Sequence, residues 1–310
     1  MSGTPAAPRG VVHCADGVAV ARTLEDESVD LVYLDPPFNT GRRQTREQLR
    51  TRRAEDGEGD RTGFGGRRYE TERLGSRSFE DARDDYLGFL EPFLVEAQRV
   101  LAPSGSLYLH LDYREVHYAK VLADGIFGRV NFVNEIIWAY DYGARPKRRW
   151  PAKHDNILFY AKDAARNRFN AEDIERIPYM APGLVGPEKA ARGKLPTDTW
   201  WHTIVSPTGK EKLGYPTQKP LGVLERIVSA SSPPGGLVCD FVAGSGTTGE
   251  AALRHGRRFI LADSSPEAFE VMRRRFAACD GVVFREQAEV RLPLPLRERA
   301  GGEGPAAGEA

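Results

Sequence analysis

Apolar positions along this chain follow two rhythms. Short, nearly unbroken apolar runs occur at 11–14, 29–34, 106–111, 132–138, 237–239 and 259–261. Such runs suit strands buried on both faces, as in a parallel sheet covered by helices. Between them the spacing changes to three and four. Tyr86, Leu90, Phe93, Ala97 and Val100 mark one face of a helix over 80–101, bent at Pro92, and a second helix is expected over 114–124. A third runs through Leu224, Ile227 and Val228, with Pro220 in its first turn and Thr217 or Gln218 at its entry. A fourth ends near His255, and Ser264 or Ser265 caps a fifth that has Pro266 in its first turn. Strand and helix alternating in this way predict an α/β fold, a Rossmann-like sheet with helices on both faces.

Four stretches break the rhythm. Residues 1–10 read as a loose leader and 291–310 as a disordered tail. Residues 41–78 are rich in Arg and Gly and poor in aliphatics, which predicts a mobile loop: a solvated excursion, or a lid over a polyanion. Residues 163–211 lose periodicity except at Trp200-Trp201-His202, as a small inserted recognition region would. The expected division is therefore a first half-sheet over 11–162, the insertion over 163–211, a second half-sheet over 212–290, and the tail.

Composition changes this picture little. The 310 residues are 40% hydrophobic and hold 44 basic and 44 acidic side chains, so any nucleic-acid contact must come from local charge. Arg145, Lys147, Arg148, Arg149 and Lys153 supply it, interleaved with Tyr140, Tyr142, Trp150, Phe159 and Tyr160. Cations and rings together suit phosphate tracking and base stacking. Cys14, Cys239 and Cys279 form no CxxC pair, and the six histidines show no metal spacing, so no metal is expected. His110 and Asp112 fit a strand-end hydrogen bond better than ligation. With no apolar run of membrane length, a soluble cytoplasmic protein is expected.

Two strand ends carry the candidate chemistry. The run 29–34 stops at Asp35-Pro36-Pro37-Phe38. Prolines have no N–H, so this corner offers a carboxylate, carbonyls and a ring, a site for a planar group bearing an NH2. The run 237–239 ends at Asp240 and the glycine turn Ala243-Gly244-Ser245-Gly246-Thr247, and the next strand ends at Asp263, where an acid would meet ribose hydroxyls. An acid beside the turn repels pyrophosphate but tolerates a sulfonium and an ammonium, which favours S-adenosylmethionine over NAD or ATP. Asp16, at the end of the first strand, reads as a ligand contact or a turn-forming Asp-Gly.

In this order, Asp35-Pro36-Pro37-Phe38, Gly214-Tyr215-Pro216-Thr217-Gln218-Lys219-Pro220 and the run from Asp240 to Thr248 resemble the bacterial DNA amino-methyltransferases of the β motif order. The resemblance implies an S-adenosylmethionine-dependent enzyme that methylates the exocyclic amine of a flipped base in double-stranded DNA. The acid at Asp35 leans toward adenine N6 over cytosine N4. It implies catalytic roles for Asp35, Pro36, Pro37 and Phe38. Cofactor contacts fall to Asp240, Phe241, Ala243, Gly244, Ser245, Gly246 and Thr247, with Thr217, Gln218 and Lys219 at the methionine end, Asp263 at the ribose and Asp16 near the adenine. Phe241-Val242 stands where Pro-Phe is commoner, and Ala262 where Gly is usual. A restriction endonuclease and a second copy of the chain are protein partners the resemblance leaves open. The rival readings are an RNA or protein methyltransferase, an inactive DNA-binding relative and, more distantly, a dinucleotide oxidoreductase.

Overall fold

Helices and buried strands alternate from the start of the chain. The computed structural model describes residues 8–39, 42–53, 61–62, 68–81, 84–143, 146–206 and 209–286, with the strands between 42 and 81 described by their backbone alone. Its first elements are β1 (Gly10–Cys14), α1 (Gly17–Ala21), β2 (Val29–Leu34), β3 (Arg42–Arg53), β4 (Arg61–Thr62), β5 (Arg68–Asp81) and α2 (Tyr86–Val100). There follow β6 (Leu101–Leu111), α3 (Val116–Phe127), β7 (Phe132–Ala139), β8 (His154–Ala161), α4 (Pro187–Arg192) and β9 (Thr199–Trp201). The last are α5 (Leu221–Ser231), β10 (Leu237–Asp240), α6 (Thr247–Arg254), β11 (Arg258–Asp263), α7 (Pro266–Arg275) and β12 (Val282–Glu286).

Nine strands form one sheet in the order β12-β1-β11-β10-β2-β6-β8-β7-β9. From β12 to β6 all neighbours are parallel, and β8 is antiparallel to both β6 and β7. Side chains alternate between the faces, as a pleated strand requires. Leu31 and Tyr33 of β2 enter the apolar cluster containing α5, α6 and α7 residues, whereas Val32 and Leu34 enter the one built with α2 and α3. Burial on both faces is why these strands read as unbroken apolar runs. The helix over 86–100 buries the expected stripe plus Leu94, and Asp85 caps it by accepting from the Gly88 amide at 2.8 Å.

Two expectations need correction. The stretch 41–78, expected as a mobile loop, contains a long antiparallel ladder in which β3 pairs with β5. Its register sets Arg43 opposite Glu80, Arg46 opposite Arg77 and Arg50 opposite Glu72. Phe159 and Tyr160, grouped with a stacking surface, belong to β8 and lie in the core. They sit on opposite faces of a central strand, and the cations before them make a buried run look like surface. Within 163–211, whose apolar knot is expected at Trp200-Trp201-His202, β9 adds to the sheet edge beside β7, and Trp200 is buried. Residues 1–7, Arg145 and the tail 291–310 lie outside the described residues.

Candidate active site

The two strand ends singled out above are neighbours. β10 and β2 pair in parallel, with Val238 opposite Leu31 and Cys239 opposite Val32. The chain leaves β10 toward β11 on one side and β2 toward β6 on the other, so their carboxyl ends part around a crevice, the usual ligand position in an open α/β sheet. A cavity of about 880 Å³ lies there. Asp35, Pro36, Pro37 and Phe38 line one wall, and Ala243, Gly244, Ser245 and Thr247 the other. Asp16, Asp263, Thr217 and Lys219 complete it.

On the β2 side, Asp35 keeps one oxygen engaged and one open. Its Oδ2 accepts from the Lys219 ammonium at 2.5 Å, while its Oδ1 is buried without a hydrogen-bond partner. A buried unpaired acceptor costs free energy on the order of 1–3 kcal/mol, so a donor entering here is favoured. Phe38 stands beside it, with the Lys219 nitrogen 4.8 Å from its ring centroid. Behind this corner a buried chain of polar groups fixes the floor. The Tyr33 hydroxyl meets His110 Nδ1 at 2.7 Å, His110 Nε2 meets Asp155 Oδ2 at 3.3 Å, and the Tyr140 hydroxyl donates to Asp155 Oδ1 at 2.9 Å. Burial alone would raise the pKa of Asp155; the hydrogen bond and charge of His110, with Lys219 nearby, outweigh it and hold the carboxyl below its usual range.

The β10 side is built differently. Asp240 is buried, and both oxygens are satisfied by its own loop: Thr248 Oγ1 donates to Oδ2 at 2.7 Å and the Val242 amide to Oδ1 at 3.1 Å. Burial pushes its pKa up to about 7, against those two hydrogen bonds. Asp263 likewise accepts from the amides of Gly244 and Ser265, each at 2.8 Å, and burial raises its pKa. Gly244 and Gly246 have φ of +51° and +77°, a region that disfavours any residue with a Cβ. At Gly244 an added Cβ would stand 2.9 Å from the Tyr215 ring. Asp16 caps α1 through the Ala19 amide at 2.8 Å and also lines the cavity.

Most of the expected site residues converge here, and a few do not. Gln218 turns away: its Oε1 accepts from the Leu213 amide and its Nε2 donates to the Glu211 carbonyl, pinning the segment that leads to α5. Phe241 lines the crevice while almost fully buried. Lys153 donates to the carbonyls of Tyr142 and Gly143 and so braces its loop from within, whereas Lys147, Arg148 and Arg149 are exposed. That loop joins the carboxyl end of β7 to β8, at the sheet end that carries the crevice, roughly 14 Å from β2 across the intervening strands. Sequence reasoning misses Arg275, which donates to the Ser245 carbonyl at 2.7 Å and pairs with Glu250, bracing the glycine turn from α7. Its only trace in the chain is a basic last helical turn. The Tyr33–His110–Asp155 chain is missed as well, although His110 does form the expected strand-end hydrogen bonds. Among the described residues no cluster of His, Cys, Asp and Glu could hold a metal ion, and no helix is long and apolar enough to cross a membrane.

Residues 29–274 match the family profile described as DNA methylase, of the N6 and N4 kind. The chain is 28% identical over 289 residues to the DNA adenine methyltransferase YhdJ of Escherichia coli K12, covering 91% of this chain and 87% of that protein. Among solved structures it resembles the PvuII DNA methyltransferase (cytosine-N4-specific), with a TM-score of 0.57 at 16% identity over 86% of this chain and 88% of that one. It also resembles the M1.HpyAVI–SAM complex, with a TM-score of 0.52 at 20% identity over 86% and 98%.

Proposed function

Because this chain belongs to the DNA methylase family that acts on exocyclic amines, we propose that it transfers the methyl group of S-adenosylmethionine to adenine N6 in double-stranded DNA. The observation that carries this reading is the open oxygen of Asp35 beside the glycine turn. The crevice suits the cofactor: its acids Asp16, Asp240, Asp263 and Glu267 favour a cationic ligand over a phosphate, and the bare backbone at Gly244 allows close approach. When bound, S-adenosylmethionine supplies an electrophilic methyl group on a sulfonium.

The residues then have separate tasks. Asp35 Oδ1 and the Pro36 carbonyl accept the two N–H hydrogens of the base, which draws the nitrogen lone pair out of the ring and aims it at the methyl group. Transfer to that nitrogen would leave it with one proton to lose, and Asp35 is the group placed to accept it and pass it to water. The rest of the barrier reduction comes from position and fixed charge. Extrusion of the base from the duplex costs roughly a few kcal/mol, and stacking on Phe38 returns about 1–3 kcal/mol. Adenine is favoured over cytosine by the acid at position 35 and by the name of the Escherichia coli relative. The exposed Lys147, Arg148 and Arg149 form the DNA-facing surface of this reading, and the strands over 42–81 lead out from the same sheet end; the start of the segment 163–206 packs instead at the opposite end, Arg168 on Ser104 and Asn170 on Ser229, Ala230 and Ser232.

Duplex DNA incubated with labelled S-adenosylmethionine, then digested to nucleosides for mass spectrometry, tests the proposal. N6-methyladenine is expected; N4-methylcytosine would reassign the base, and transfer to RNA alone would reject DNA as substrate. In the same assay, replacing Lys147, Arg148 and Arg149 by alanine should raise KM for DNA and flatten its salt dependence. The slope should fall by about 0.9 for each phosphate no longer neutralised. An unchanged slope would remove that loop from the interface.

A further inference from the structure

We propose that Lys219 is a positioning residue for methyl transfer and not a ligand of the cofactor: it clamps one oxygen of Asp35 so that the other faces the incoming amine. This rests on the function proposed above and adds a role for one side chain within it.

Lys219 and Asp35 lie 184 residues apart in the chain, yet their side chains are only 10% and 15% exposed and meet at 2.5 Å. Among the described residues that line the crevice, Lys219 is the only basic one, set against Asp16, Asp35, Asp240, Asp263 and Glu267. Its ammonium is committed to Asp35 and also rests over the Phe38 ring. Two further contacts restrain it. Its carbonyl accepts from Thr247 Oγ1 at 3.2 Å, at the start of α6, and Pro220 follows it directly with a fixed φ. Lys219 therefore spans both walls of the crevice, its backbone on the glycine turn and its ammonium on the catalytic corner.

The consequence is geometric. A carboxylate free to rotate about its terminal torsion presents either oxygen, and the target nitrogen must lie in line with the methyl group for transfer. With Oδ2 held, Oδ1 has one direction, and it is the oxygen that lacks a partner. Without the ammonium, Asp35 would turn freely and its charge would stand uncompensated beside Asp240.

The test compares Lys219→Met and Lys219→Arg with the wild type, measuring S-adenosylmethionine affinity by calorimetry and steady-state transfer to duplex DNA. In Lys219→Met, kcat should fall by about 100-fold, as misplacement of a reacting group does. The cofactor Kd and the KM for DNA should stay within about threefold. Lys219→Arg, which keeps a cation at the site, should recover a substantial part of kcat. A Kd that weakens in step with kcat would make Lys219 a cofactor ligand and overturn the proposal, as would an unchanged kcat. If circular dichroism shows Lys219→Met unfolded, Lys219→Arg decides: reduced kcat at wild-type Kd supports the clamp, and a weakened Kd rejects it. Wild-type inactivity on DNA would strike the functional reading itself, an outcome distinct from activity that ignores the substitution.

Discussion

The two walls of the crevice both carry acids but use them in opposite ways. On the β10 wall, Asp240 and Asp263 turn every oxygen inward, onto Thr248, Val242, Gly244 and Ser265. They shape the glycine turn that lines the crevice. On the β2 wall, Asp35 gives one oxygen to Lys219 and keeps the other for a visitor. An acid whose hydrogen bonds close within its own loop is a structural device that also sets local charge. An acid left half satisfied carries the cost of an unpaired acceptor, which in the function proposed above is met by the incoming amine.

That contrast can be broken by experiment. The largest effect should come from Asp35→Ala, which removes the open acceptor: transfer should fall by roughly 10²–10³ or more. Calorimetry should find S-adenosylmethionine binding nearly intact, and a parallel loss of binding would erase the difference between the walls. Gly17→Ala acts on the other wall. An added Cβ would stand 1.9 Å from the Phe241 carbonyl oxygen, so the loop must shift, at about 1–3 kcal/mol. A lowered Tm and weakened cofactor binding are expected, with any bound enzyme turning over normally; a stable variant with wild-type Kd would show that the loop does not depend on this contact.

The smallest effect is one of pH. Folding raises the Asp240 pKa to about 7, so the folded state holds the extra proton between its unfolded value near 4 and that point. The ligand-free protein should therefore lose stability as pH rises through this window, and Asp263 acts in the same direction. A cationic ligand favours the ionised carboxylate, so S-adenosylmethionine should bind more tightly from pH 6 to 8, by at most about tenfold per unit, releasing protons at the lower end. Thr248→Val deletes a hydrogen bond that holds the pKa down and should move this rise to higher pH. Titration calorimetry in buffers of differing ionisation enthalpy reads the proton count; none released at pH 6 would mean that Asp240 does not sense the ligand.

Much of this site is legible in the sequence wherever a residue's role is set by its immediate neighbours. Asp35 stands out because two prolines follow it, and the turn at Gly244 and Gly246 because the backbone there needs positive φ. The cap at Ser265 is equally local. Other features depend on distant partners. Gln218 and Lys219 are adjacent in one motif and read as one unit, yet one bonds to Glu211 and Leu213 and the other to Asp35. Tyr160 follows a basic stretch and reads as surface, because periodicity cannot distinguish a strand buried on both faces from a short apolar run beside one.

The chain by itself determined the alternation of strand and helix, the apolar faces, and the two chemical corners, since each follows from side-chain spacing or backbone freedom over a few residues. Only the tertiary structure decided that β2 and β10 lie side by side, that Asp155 reaches His110, and that Arg275 braces Ser245. The physical reason is that apolar spacing states which side of a strand is buried but not which strand lies next to it. That choice is made by long-range packing of the whole sheet, whose contacts leave no mark on any short stretch of sequence.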